Sequence, residues 1–139
     1  VQVVLIVMGQ GVESSVRPLV EGLRELRKKM SFLLVASSDL SHYPPYDIAV
    51  KADKAFLEAL LSGQETEVSE ADKKIMAKKY PNYYCTHCGK EPVLTLLRYT
   101  QAIEAQEVRL LAYQNSGDVT GDHSRVVGYS AVAFSKNEK

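Results

Sequence analysis

The sequence predicts a small α/β protein, a single domain over residues 1–139 in which about four strands form a mostly parallel or mixed sheet with helices on both faces. The apolar, β-branched runs Val1–Met8 and Phe32–Ala36 have the composition of strands that are buried on both sides. Between them, apolar residues recur over positions 16–30 with the spacing of one buried helical stripe. A strand, a helix and a strand in so short a span indicate a right-handed crossover, which makes the two strands parallel.

The rest of the chain continues the alternation of helices and strands. Asp47 can begin a helix that runs to about Leu61 and ends at Ser62-Gly63. After a polar linker at 64–68, Ser69 begins a short helix that must stop before Pro81. The remaining predicted elements are an irregular segment at 80–84, a helix entered through Cys85–Pro92 and ending near Ala105, a strand Val108–Gln114, a polar loop at 115–124 and a long apolar strand Arg125–Phe134.

The composition excludes several classes of protein. Lys plus Arg and Asp plus Glu both total 17, so there is no basic field to hold nucleic acid or an anionic membrane. The longest apolar run is too short to cross a bilayer and lacks the features of a signal peptide. Only two cysteines, Cys85 and Cys88, give no secreted disulfide framework. We therefore expect a cytoplasmic protein that binds neither nucleic acid nor a membrane.

The predicted strand Phe32–Ala36 is followed at once by a polar loop, and polar loops at strand ends are common sites of chemistry in α/β proteins. Imidazole groups titrate near neutral pH, and Asp39 can orient that of His42, so the two residues are candidates for a catalytic acid–base pair. Alternatively, Asp39 caps a turn and His42 is a surface histidine. A hydrolase triad using Ser37 or Ser38 is disfavoured because the G-x-S-x-G motif is absent.

Cys85 and Cys88 form a C-x-x-C motif at the entry to a predicted helix. Such a motif suits redox exchange or metal binding, because a helix start lowers the pKa of a thiol. A structural zinc site requires four ligands, however, and no second cysteine pair is present. The third alternative is that both cysteines simply pack at the helix entry.

The polar loop from Asn115 to His123 contains two carboxylates, a histidine and two glycines. Asx-type turns explain every residue type in it. If this loop lies beside Asp39 and His42, it could instead supply a carboxylate ligand for a metal.

Three segments together point to a family: VASSDLSHY (35–43), CGKEPV (88–93) and YQNSGDVTGDHSRVVGYSAVAF (113–134). In this order they resemble the carboxyl-terminal half of the Memo family, whose microbial members are called AmmeMemoRadiSam system protein B. The resemblance extends from the opening strand to Phe134. The family in turn resembles the class III extradiol dioxygenases, which are non-haem iron enzymes.

The resemblance implies an α/β/α fold with a metal pocket at the carboxyl ends of the strands. It implies that His42 acts as the acid–base residue with Asp39 beside it. We expect Ser37, Ser38, Cys88 and Asn115 to line the same pocket. The family also has a metal-site position in the loop before the last strand. Val119 matches that position and cannot bind a metal, so its neighbour Asp118 is the candidate ligand.

The family's other two metal ligands are histidines of the amino-terminal half, and none of His42, His87 and His123 matches them. We therefore expect a fragment of a longer protein or a degenerate half-site, in which the family's complete iron site does not form within one molecule. In the intact protein the expected metal is a divalent cation, with iron as the first candidate. Uncovered sheet edges would favour a homo-oligomer or pairing with the missing amino-terminal half.

Three functional hypotheses follow. The first is a Memo-like protein of unassigned reaction, with dioxygenase-like or other metal-dependent redox chemistry on an unknown small molecule. The second is a non-catalytic module that binds a ligand or peptide in the same pocket, as animal Memo is described as binding phosphotyrosine peptides. Only Lys90 and Arg125 could hold a phosphate near these loops. The third is a C-x-x-C redox protein.

Overall fold

The computed structural model of the chain describes residues 2–9, 11, 13–105 and 107–136. Within these ranges five helices and two strands follow one another. They are α1 (Glu13–Arg27), α2 (Tyr46–Leu61), α3 (Glu65–Met76), α4 (Lys90–Ala102), β1 (Glu107–Asn115), α5 (Ser116–Thr120) and β2 (Gly128–Ser135). The broad prediction of a mixed α/β protein is confirmed. No helix in the described ranges is long and apolar enough to cross a membrane.

Helix α1 buries the predicted stripe against α4. Val16, Val20 and Leu23 form a cluster with Tyr99 of α4, and the side chains of Phe32 and Leu34 pack partly against it. The last positions of the predicted stripe lie outside the core: Leu26 is exposed within the helix, and Met30 is exposed beyond its end at Arg27. The stripe is therefore buried only as far as Leu23.

A second and larger apolar cluster joins α2, α3 and α4. It contains Phe56 and Leu57 of α2, Ile75 of α3 and Leu97 of α4, all almost completely buried. Helix α3 begins at Glu65, four residues before the predicted start at Ser69. The predicted polar linker is helical because Val68, one of its residues, is buried in this cluster.

The sheet of the described residues consists of β1 and β2 only, paired antiparallel from Glu107 opposite Ser135 to Asn115 opposite Gly128. Helix α2 packs against one face of the pair, where Tyr113, Val132 and Phe134 contact the larger cluster. Tyr129 on the other face is 44% exposed.

The predicted sheet of about four strands, mostly parallel or mixed, is not found in the described residues, where two antiparallel strands form the sheet. Residues 2–8 and 32–36 form no strand, and Val1 lies outside the described ranges. In the second segment Phe32 and Leu34 are half-buried, whereas Leu33 and Val35 are 87% and 72% exposed. The composition of these segments suits a buried strand, but a strand also needs a hydrogen-bonded neighbour, and composition does not supply one.

Candidate metal-binding site and adjoining cleft

The polar loop after Phe32–Ala36 is held by backbone hydrogen bonds to the first residue of β2 and to the segment just before it. The N–H of Leu40 donates to the carbonyl of Gly128 at 2.8 Å, and the N–H of Gly128 donates to the carbonyl of Ser41 at 3.0 Å. The N–H of Tyr43 donates to the carbonyl of Val126 at 2.8 Å. These bonds place His42 opposite Val127 in a short antiparallel bridge. The backbone of this loop is therefore fixed by hydrogen bonds to the rest of the fold.

A buried carboxylate lies beneath this loop. Asp53 of α2 is completely buried. Its Oδ1 accepts a hydrogen bond from the N–H of Ser41 at 3.1 Å, and its Oδ2 accepts one from the hydroxyl of Tyr113 at 2.9 Å. Burial raises the pKa of Asp53, and the hydrogen bonds from Tyr113 and Ser41 partly oppose this rise. Sequence reasoning missed Asp53, although its position on the apolar stripe between Ala52 and Phe56 was a usable signal.

Asp39, His42 and Cys88 form a compact group that we call the three-residue group. One potential ligand atom from each lies within 4.8 Å of the other two. His42 Nε2 is 3.3 Å from Asp39 Oδ2, and the backbone N–H of Asp39 points to Cys88 Sγ at 3.2 Å. Asp39 and His42 are partly buried and Cys88 is exposed. A carboxylate, an imidazole and a thiol together form a donor set that suits a transition metal such as iron, zinc or copper.

Ser38 and Gly89 bring Cys88 to the loop. The N–H of Gly89 donates to Ser38 Oγ at 2.9 Å, and that hydroxyl donates to the carbonyl of Asp39 at 2.8 Å. A β-carbon at Gly89 would lie only 2.8 Å from the carbonyl oxygen of Ser37. The entry to α4 therefore reaches the loop because position 89 has no side chain. Three predicted pocket residues, Ser37, Ser38 and Cys88, lie at this junction.

The predicted ligand Asp118 has a different role in the described structure. Its Oδ2 accepts the N–H of Asn115 at 2.8 Å, while the Asn115 side chain accepts the N–H groups of Gly117 and Asp118. This reciprocal arrangement is a capping box for α5. Asp118 Oδ1 also accepts the hydroxyl of Tyr46 at 2.7 Å. The Asn115 and Tyr46 hydrogen bonds lower the pKa of Asp118.

Neither Asp118 nor Asn115 belongs to the three-residue group. Metal binding by Asp118 stays a prediction, and Val119 beside it is 79% exposed. The short helix α5 was not predicted, although the order Asn, Ser, Gly, Asp from position 115 onwards is a recognisable capping pattern.

The two cysteines of the C-x-x-C motif differ in environment. Cys85 is half-buried and Cys88 is exposed, and neither forms a disulfide. Burial, and next the nearby Cys88, raise the pKa of Cys85 to about 11. The lowered thiol pKa expected for a redox motif is therefore not found at Cys85, because its thiol is withdrawn from water and α4 begins only at Lys90.

A cleft of about 720 Å³ adjoins the three-residue group. Its wall includes His42, Asp72, Cys85, His87, Cys88 and Glu91. His87 is buried and stacks on Phe56, with the two ring centres 4.6 Å apart. Burial lowers the pKa of His87. Sequence reasoning did not connect His87 with a cleft, because its neighbours in that wall come from distant parts of the chain.

Comparisons with known proteins identify one family. A family model described as "Memo-like protein" matches residues 1–133. A MEMO1 family protein of Methanocaldococcus jannaschii is 38% identical over 108 residues, which are 78% of this chain and 34% of the relative. A MEMO1 family protein of Ignicoccus hospitalis is 32% identical over 135 residues, covering 96% of this chain and 45% of the relative. The chain thus spans between a third and a half of the length of these relatives. No solved structure matches it.

Proposed function

Because the chain belongs to the Memo-like protein family, we propose that it contributes a transition-metal site, made by Asp39, His42 and Cys88, to a metal-dependent oxidoreductase. The expected metal is iron, and the expected chemistry is dioxygenase-like. The substrate is a small molecule bound in the adjoining cleft. The names of the relatives specify no reaction. The donor atoms of this chain support the metal site, whereas iron and dioxygenase-like chemistry follow from the family resemblance.

The observation that carries the proposal is the convergence of three different donor atoms. The carboxylate, imidazole and thiol of the three-residue group lie within 4.8 Å of one another, although Cys88 is 49 residues from Asp39. The N–H of Asp39 stabilises negative charge on Cys88 Sγ, and a thiolate is the form that binds a metal. A bound iron would supply redox chemistry with dioxygen.

The contact between His42 and Asp39 also supports a second role for His42. The Asp39 carboxylate, 3.3 Å from Nε2, can hold the imidazole ring of His42 in one orientation, as an acid–base residue requires. In this version His42 moves a proton to or from the substrate, as the family resemblance implies, and the metal is held by other groups. The two versions differ in whether the metal is lost when His42 is replaced.

Elemental mass spectrometry on protein purified without chelator or affinity-tag histidines tests the proposal. After reconstitution with ferrous iron, we expect near-stoichiometric metal in the wild type and in Cys85→Ser. Cys88→Ser and Asp39→Ala should lose most of it, because each removes one donor of the three-residue group. Cys85→Ser is the matched control, since it changes the neighbouring thiol in the same way.

Each outcome distinguishes between the versions. Loss of iron in His42→Ala supports ligation by His42, whereas retention supports the acid–base role. If Asp118→Asn loses iron and Cys88→Ser retains it, the metal site lies in the loop before β2 instead. An iron-free wild type after reconstitution would contradict metal binding by this chain.

A non-catalytic binding protein is the second candidate function. The cleft, at about 720 Å³, falls within the ~300–1,000 Å³ range of small-molecule sites. Recognition of a ligand in such a cleft requires no turnover. Oxygen consumption by the iron-loaded protein in the presence of a bound ligand would favour the enzyme, and saturable binding without consumption would favour this candidate.

A further inference from the structure

We propose that the cleft beside the three-residue group is a binding site for a ligand with a protonated amino group, and that His87 Nε2 accepts a hydrogen bond from it. The inference goes beyond the proposed metal site, because it depends on atoms outside the three-residue group and requires no metal.

The first step is the position of the proton on the His87 ring. Thr86 Oγ1 donates its single hydroxyl proton to Asp72 Oδ1, since a carboxylate only accepts. The same Oγ1 lies 2.9 Å from His87 Nδ1. With its proton already directed to Asp72, the hydroxyl can only accept at this second contact. The ring proton of a neutral His87 therefore lies on Nδ1, and the lone pair lies on Nε2.

The second step concerns the surroundings of that lone pair. His87 is only 9% exposed, and Phe56 stacks on one side of its ring, so the ring plane is fixed. His87 lines the cleft, and Nε2 has no hydrogen-bond partner among the residues that the structure describes. Nε2 is not fully enclosed by the protein, so it is reached from the cleft, where water or a ligand can donate a hydrogen bond to it. The cleft is where such a partner can bind.

The third step is the charge of the cleft. Three carboxylates, those of Glu13, Asp72 and Glu91, line it with one lysine, Lys90. Because Glu13 is paired with Arg98 at 3.2 Å, Asp72 and Glu91 are the carboxylates that outweigh Lys90. Glu91 is buried, and its Oε1 accepts the N–H of Gly11 at 2.6 Å. An anionic ligand would be repelled by these charges. A neutral group that only accepts hydrogen bonds would be repelled by the lone pair on His87 Nε2. A protonated amine offers both a positive charge and N–H donors.

Nitrogen-15 NMR of the histidine side chains tests the proposal directly. In the wild type we expect the ring proton of His87 to lie on Nδ1. The spectrum of the unsubstituted protein shows this directly. Titration with benzylammonium should shift Nε2 of His87, whereas benzoate, a ring of similar size with the opposite charge, should not bind. Benzylammonium and benzoate are the only two ligands that this titration requires.

A variant pair separates a binding role from a structural one. Thr86→Val removes the hydroxyl that holds the ring proton, and it should weaken benzylammonium binding about fivefold, the effect of one neutral hydrogen bond. Thr100→Val is the matched control. It removes another buried threonine hydroxyl, which donates to the carbonyl of Leu97 away from the cleft. We expect this control to lose comparable stability and to bind the probe like the wild type.

The proposal is overturned if the wild-type proton lies on Nε2, if benzoate binds as tightly as benzylammonium, or if Thr86→Val binds the amine unchanged. Asp39→Ala separates this inference from the metal site, because Asp39 belongs to the three-residue group but does not line the cleft. That variant should lose iron and keep amine binding, so failure of one proposal leaves the other measurable.

Discussion

Gly128 at the start of β2 lies directly against the buried carboxylate of Asp53, so that any β-carbon at position 128 would overlap Asp53 Oδ2. Because the other oxygen of Asp53 holds the backbone of Ser41, this contact links β2 to the loop that presents Asp39 and His42. The loop of the candidate site is thus held in place by the carboxylate of Asp53, which fits against β2 because Gly128 has no side chain.

Gly128→Ala should lower the free energy of unfolding by about 2 kcal/mol, because the added methyl group displaces Asp53 in a closely packed region. Urea denaturation gives the value. The control is Gly22→Ala in α1, where a β-carbon meets no atom within 4 Å. That change should stabilise the protein by up to about 1 kcal/mol, since alanine favours a helix. Equal effects at the two positions would contradict the role of the Asp53 contact.

The stability of the protein should depend on pH through Asp53. Burial raises its folded-state pKa, so the folded protein holds this proton more tightly than the unfolded chain does. The stabilising contribution is complete below the unfolded pKa of aspartate and is lost as the pH rises through the raised folded value. Relative to Asp53→Asn, the wild type should therefore lose stability as the pH increases through this window. Urea midpoints of both proteins over the acidic range measure the difference, and parallel curves would contradict the raised pKa.

The two cysteines should react with iodoacetamide at different rates at neutral pH. A pKa of about 11 leaves the Cys85 thiol protonated, so its alkylation should be slower than that of an unperturbed cysteine by on the order of 100-fold. Cys88 is exposed and should be labelled first. Peptide mass spectrometry identifies the modified residue, and Cys85→Ser should retain the fast phase. Faster labelling at Cys85 would show that its thiol is accessible and ionised.

Asn115→Ala should destabilise the protein by about 1–2 kcal/mol, because it removes a buried helix cap. The side chain of Asn115 is 1% exposed and accepts two backbone hydrogen bonds at the start of α5. Thermal unfolding measures the loss. Asp122→Ala, in the exposed turn after α5, should have a much smaller effect. If iron content also falls in Asn115→Ala, the loop before β2 contributes to the metal site after all.

The sequence by itself determined the helices whose apolar residues repeat locally, and it indicated the chemistry of the loop that contains Asp39 and His42. Helix α2 ends at Leu61 as predicted, because the apolar stripe and the Ser62-Gly63 stop are properties of neighbouring residues. The resemblance to the Memo family depended on the same kind of information, namely short ordered motifs.

The tertiary structure alone decided which distant residues meet. Cys88 joins Asp39 because Gly89 packs closely against Ser37 and Ser38, and Asp118 lies outside this group because it caps α5. Likewise, Phe32–Ala36 has the composition of a strand but no hydrogen-bonded neighbour in the described part of the chain. Periodicity and propensity are properties of a few consecutive residues. Contacts across tens of residues depend instead on packing and hydrogen bonding in the whole fold, which no local pattern specifies.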